Sequence, residues 1–90
     1  MKQVQVTYSG DVIGAGFRLT ANEIARDLNL VGWVRNLPDD RVELLVQGEE
    51  GAIKKLLDQL TGIFQNNIEE SKITWQKPSS ELSEFEIKYG

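Results

Sequence analysis

Histidine and cysteine are both absent from this chain. Their absence removes Ser-His-Asp hydrolases, phosphohistidine and cysteine-phosphate chemistry, and ordinary zinc centres. A chain without cysteine also has no disulfide frame, which leads us to expect a cytoplasmic setting. Long apolar runs are missing: no stretch approaches the roughly 20 residues needed to span a bilayer, and no signal-peptide pattern opens the chain. An excess of positive charge is missing too. The formal net charge is −4, which speaks against the dense basic footprint of a general nucleic-acid binder. Any chemistry must therefore come from Arg, Lys, Asn, carboxylates, hydroxyls, backbone amides or the ligand itself.

What is present points to one small anion. Ninety residues, 40% of them hydrophobic, suit a single domain over residues 1–90 with one core. Near its start runs Gly10-Asp11-Val12-Ile13-Gly14-Ala15-Gly16-Phe17-Arg18. A β-type run (Val4, Val6, Tyr8) leads into this segment and a helical pattern leads out of it. Close-set glycines allow successive amides to turn inward, and such a nest beside a helix N-terminus binds anions. Arg18 stands at its mouth with a fork of donors suited to phosphate. Gly32-Trp33-Val34-Arg35-Asn36 adds a second polar candidate, Asn36, at the end of another short strand.

The rest of the chain reads as scaffold. Val4, Val6 and Tyr8 alternate with polar residues, the period of a half-buried strand. Phe17, Ala21, Ile24, Ala25 and Leu28 form the apolar face of a helix over Phe17 to Leu28, with Asn29 as a left-handed cap. Val31 to Asn36 and the run from Val42 to Val46 make a hairpin about the turn Leu37-Pro38-Asp39-Asp40-Arg41. Ile53, Leu56, Leu57 and Leu60 mark a second helix, with Ile63 and Phe64 extending its apolar stripe and Gly62 expected to mark its end. Ile73 and Trp75, then Phe85, Ile87 and Tyr89, are expected in the last two strands. The order βαββαβ with a short final strand predicts an α+β ferredoxin-like sandwich, two helices on one face of an antiparallel sheet.

With these residues in view, the chain resembles the acylphosphatase family. Its signature, Gly-x-Val-Gln-Gly-Val-Gly-Phe-Arg, is similar to Gly10 through Arg18. The family's Gly-Trp-Val-Arg-Asn, followed by a turn and Val-Glu, matches Gly32 to Asn36 and Val42-Glu43. Its Phe-x-Ile-x-Tyr ending resembles Phe85 to Tyr89. The resemblance covers the whole chain. It implies hydrolysis of small acyl phosphates such as acetyl phosphate to a carboxylate and inorganic phosphate, with no metal and no cofactor. It further implies that Arg18 and the amides of Ile13, Gly14, Ala15, Gly16, Phe17 and Arg18 hold the phosphoryl group, while Asn36 orients the attacking water. Ile13 and Ala15 replace the family's glutamine and valine; loop stability rather than chemistry is expected to change. A monomer is expected, with no nucleic-acid or membrane partner.

Blander readings stand beside these. The competing function is a non-catalytic ferredoxin-like module that binds an anion or regulates a partner; hydrolysis separates the two. Arg35 reads as a solvated residue on the sheet face opposite Asn36. Trp33 and Trp75 read as packing residues, and Asp39 and Asp40 as solvated turn carboxylates rather than metal ligands.

Overall fold

The computed structural model describes residues 1–89. Its elements are β1 (Lys2–Gly10), α1 (Phe17–Asp27), β2 (Val31–Asn36), β3 (Val42–Gly48), α2 (Glu50–Ile63), β4 (Ile68–Gln76) and β5 (Phe85–Ile87). The five strands form one sheet in the order β4-β1-β3-β2-β5. The expected ferredoxin-like sandwich is the fold observed. One pairing is of the other kind: β5 runs parallel to β2, which makes the sheet mixed.

Alternation along the central strands builds the core. Val4, Val6 and Tyr8 of β1, Val34 of β2, and Val42, Leu44 and Val46 of β3 are buried, and Ile53, Leu56 and Leu60 of α2 join them. From α1 come Phe17, Ala21 and Ala25, whose small alanines let the helix approach the sheet. Phe17 is the hinge pin of this layer. Its ring lies 4.8 Å from those of both Tyr8 and Phe64, tying the first turn of α1 to β1 and to the end of α2. Burial holds the Tyr8 hydroxyl well above the usual phenol range, so it stays neutral within the core.

The turns follow from particular residues. Asn29 takes a left-handed φ of 57° after α1, and Leu30 N–H donates to the Ala25 carbonyl at 2.9 Å. Asp40, at φ 66°, turns the β2–β3 hairpin. Gly62 does not end α2, which continues to Ile63. Strand β4 starts at Ile68, earlier than Ile73 and Trp75 suggest, because Glu69, Glu70, Ser71 and Lys72 on this outer strand are exposed and carry no apolar alternation. Strand β5 covers only Phe85–Ile87.

Long-range hydrogen bonds position the last strand. The Gln47 side chain donates to the Ser79 carbonyl at 2.9 Å and accepts from Ser79 N–H at 2.7 Å, anchoring the 77–84 connection to the helix-free sheet face. Gly32 N–H donates to the Glu84 carbonyl at 3.1 Å, and Lys88 N–H to the Val34 carbonyl at 2.9 Å. The chain's last described residues thus lie beside the end of β2. Among the described residues no helix is long and apolar enough to cross a membrane.

Candidate active site

The glycine loop leaves β1 through a fixed base. Asp11 N–H donates to the Asn67 carbonyl at 2.8 Å, and the Asn67 side-chain amide donates back to the Asp11 carbonyl at 3.0 Å. This contact needs glycine at position 10. A Cβ there would stand 2.3 Å from the Asn67 carbonyl oxygen, on a backbone with φ 121°. Beyond the base, Gly14 and Gly16 both adopt φ 80°, a conformation other residues enter only at a cost. Gly16 is also the N-cap of α1.

The first backbone bond of α1 runs from Thr20 N–H to the Gly16 carbonyl at 3.0 Å. Amides ahead of Thr20 are left for another acceptor, and the helix dipole favours a negative one. No acidic residue stands in the first turn of α1 to compete for them. Arg18, the second residue of that helix, adds the full positive charge. An anion placed here meets a dipole, a row of donors and a guanidinium from one short segment.

Asn36 reaches the same place from the sheet. It follows Val34 on the helix-covered face, and its Cα partner on β3 is the buried Val42. A hollow of about 330 Å³ is lined by Gly14, Gly16, Phe17, Arg18 and Asn36, together with Val12, Leu19, Ile87 and Tyr89. The two polar candidates, separated in sequence, therefore share one cavity with the loop. Of the remaining loop residues, Ile13 is half-buried against the core and Ala15 is exposed; neither side chain lines the hollow.

Tyr89, which the sequence places only in the last strand, also lines this hollow. The Arg18 guanidinium carbon lies 5.3 Å from the centroid of its ring, a cation–π separation. The signal was present in the alternation Phe85, Ile87, Tyr89, which places Tyr89 on the helix side of the sheet. What was lacking was the parallel pairing that brings that alternation beside Asn36.

Other residues depart from expectation. Arg35 does lie on the face opposite Asn36, but it is half-buried and paired rather than simply solvated: its Nη2 is 2.7 Å from Glu43 Oε1. Trp33 lies outside the core on the helix-free face, with Arg35 and Lys88 at its ring, 5.1 and 4.7 Å from the centroid. Trp75 is 46% exposed at the outer strand rather than packed inside. Asp39 pairs with Arg41 at 2.7 Å, and among the described residues no group of three or more His, Cys, Asp or Glu gathers as a metal site.

The architecture is thus an α+β sandwich of the ferredoxin-like class with an anion-suited loop facing a strand-end amide. Known proteins give that class a narrower identity. The family description "Acylphosphatase" matches residues 4–87. The chain is 38% identical to the acylphosphatase of a Roseiflexus species, over 97% of this chain and 95% of that one. It is 36% identical to the acylphosphatase of Anaeromyxobacter dehalogenans, again over 97% of this chain and 95% of the other. The crystal structure of acylphosphatase from Bacillus subtilis superposes with a TM-score of 0.88 at 29% identity, covering 99% of this chain and 100% of that one. The chain belongs to the acylphosphatase family. It is an enzyme of acyl phosphate hydrolysis, with inorganic phosphate as a product, rather than only an anion-binding module.

Proposed function

We propose that the hollow shared by Arg18 and Asn36 is the catalytic centre, and that these two residues divide the work of hydrolysing a small acyl phosphate. Arg18 and the amides of residues 13–18 hold the phosphoryl oxygens. Asn36, whose amide both donates and accepts, orients a water toward phosphorus. The water oxygen bonds to phosphorus, the bond from phosphorus to the acyl oxygen breaks, and the carboxylate leaves with that electron pair. A phosphate oxygen takes the water proton.

Phosphoryl transfer asks mainly for positioning and for stabilisation of charge on the phosphoryl oxygens. A carboxylate is a good leaving group and needs no protonation as it departs. The reaction therefore makes no demand for the histidine this sequence lacks, and the positive end of α1 with Arg18 supplies the charge that a metal supplies elsewhere. The observation that carries this reading is the hollow that both residues line together with Gly14 and Gly16. The replacements Ile13 and Ala15 are compatible with it, since the left-handed turns lie at the glycines and the donors are backbone amides.

The test is a steady-state assay with acetyl and benzoyl phosphate, with Arg18→Ala as the control. Turnover of both substrates, lost by at least about 10²-fold in the variant, is the expected result. Equal turnover by parent and Arg18→Ala removes the centre from this hollow.

A further inference from the structure

A second hollow, of about 420 Å³, adjoins the first around the end of β2. Arg18 and Asn36 line both. The other walls of the second are Arg35, Leu37, Pro38 and Lys88. Three cations face this space and no carboxylate does, in a chain with fourteen acidic residues against ten basic ones. With Arg35 paired to Glu43, the charges on this space that have no ion-pair partner among the described residues are those of Arg18 and Lys88, both positive in a protein of net negative charge.

The cations are also held in place. Arg35 is fixed by two contacts of 2.7 Å to Glu43, which itself accepts from Gln5 and does not line the hollow. Lys88 makes no ion pair among the described residues. Its ammonium is 4.7 Å from the centroid of Trp33, and the guanidinium of Arg35 is 5.1 Å from the same ring. Trp33 thus serves as a common platform for both cations beside the strand end. Side chains ordered before a ligand arrives lose less entropy when it binds. A net charge of −4 opposes the approach of any anion, whereas a focused patch of this kind draws one in.

We propose that Lys88 and Arg35 form an anion-capture subsite that selects acyl phosphates carrying a second negative charge on the acyl group. This rests on the reading of the Arg18 hollow as the phosphoryl site. Any acyl phosphate held by Arg18 lies in the field of the adjoining hollow, because Arg18 belongs to both. Attraction to that field grows with the charge of the ligand, so a carboxylate on the acyl part raises capture while leaving the bond-breaking step to the first hollow.

The test compares kcat/KM for benzoyl phosphate with that for 3- and 4-carboxybenzoyl phosphate, rigid substrates whose added carboxylate cannot attack its own acyl group. Their neutral carbamoyl counterparts correct for size and leaving-group strength. The parent is expected to favour the carboxylated substrates over the carbamoyl ones. Lys88→Gln should lower that preference about threefold, and its combination with Arg35→Gln about tenfold, in the range of exposed charge contacts. Lys88→Glu should turn it into discrimination against the carboxylate. Salt at about 0.5 M should erase the preference in the parent. Lys77→Gln makes the same change in net charge at the opposite, β4 side of the sheet and should leave the preference intact.

A ratio equal in parent, Lys88→Gln and the double variant overturns the subsite, with benzoyl phosphate hydrolysis still intact. An equal drop in Lys77→Gln overturns it as well, in favour of net charge alone. Failure of the parent to hydrolyse benzoyl phosphate overturns the phosphoryl-site reading, and the subsite falls with it.

Discussion

The guanidinium of Arg18 lies over the ring of Tyr89 at 5.3 Å, which joins the first turn of α1 to the last described residue of the chain. Arg18 has no ion-pair partner among the described residues, so this ring is what orders its head group before an anion arrives. Exposed cation–π contacts contribute about 0.5–1 kcal/mol. Tyr89→Ala is expected to weaken inhibition by inorganic phosphate about two- to fivefold, the same energy expressed as affinity. Tyr89→Phe keeps the ring and should match the parent. Phosphate inhibition constants for the three proteins check this; an unchanged constant in Tyr89→Ala leaves the ring without a role at the site.

Arg18→Lys tests geometry apart from charge. Lysine offers a point charge in place of a planar fork and loses the two-point grip on phosphate. The lysine variant should therefore recover little of the activity lost in Arg18→Ala. Recovery to within a factor of a few would mean that charge alone suffices.

Asn36 is expected to act on turnover rather than on binding. Asn36→Ala should lower kcat by roughly 10²-fold or more, the range of a lost positioning contact. Phosphate affinity should change far less, since Arg18 and the loop do not depend on this amide. Asn36→Asp should be poor too, because a carboxylate repels the phosphoryl group and lacks an N–H donor. Single-turnover kinetics, phosphate binding and thermal unfolding, measured together, separate the cases. A parallel fall in binding and stability would make Asn36 structural.

Two glycines should fail in different ways. Gly16 has φ 80° and open space where a Cβ would go, so Gly16→Ala costs only backbone strain, about 1–2 kcal/mol. Its effect on kcat/KM should exceed its effect on stability, since the loop donors move. Gly32 has φ 138°, and a Cβ there would stand 1.9 Å from the Leu45 carbonyl oxygen. Gly32→Ala should cost about 3 kcal/mol or more from strain and overpacking combined. Urea unfolding of both variants, beside their activity, distinguishes loop damage from sheet damage.

Chelation is expected to leave the enzyme active. The proposed centre draws its positive charge from Arg18 and the start of α1, so exhaustive EDTA treatment should not change kcat/KM. Loss of activity on chelation, restored by a divalent ion, would contradict the proposed chemistry.

Much of this protein was legible in local pattern. Strand alternation in Val4-Val6-Tyr8 and helical spacing from Phe17 to Leu28 depend on neighbours a few residues away, and those patterns predict the elements found. The loop's shape was legible for the same reason: the left-handed turns at Gly14 and Gly16 and the place of Arg18 in the first turn of α1 are local properties. Alternation alone set Asn36 and Arg35 on opposite faces of the sheet; that Asn36 is the one beside α1 is decided by the packed structure. Beyond that reach the local pattern is silent. Outer strand β4 presents polar residues to solvent, so nothing in its alternation marks where it begins. No period shows that β5 pairs parallel to β2, because strand partners are chosen by hydrogen bonds and packing between segments far apart in the chain. That one pairing brings Tyr89 to Arg18, and Lys88 to Trp33 and Arg35. The glycine loop and its arginine were written in the sequence; the aromatic under that arginine and the cations beside it come together only once β5 has paired with β2.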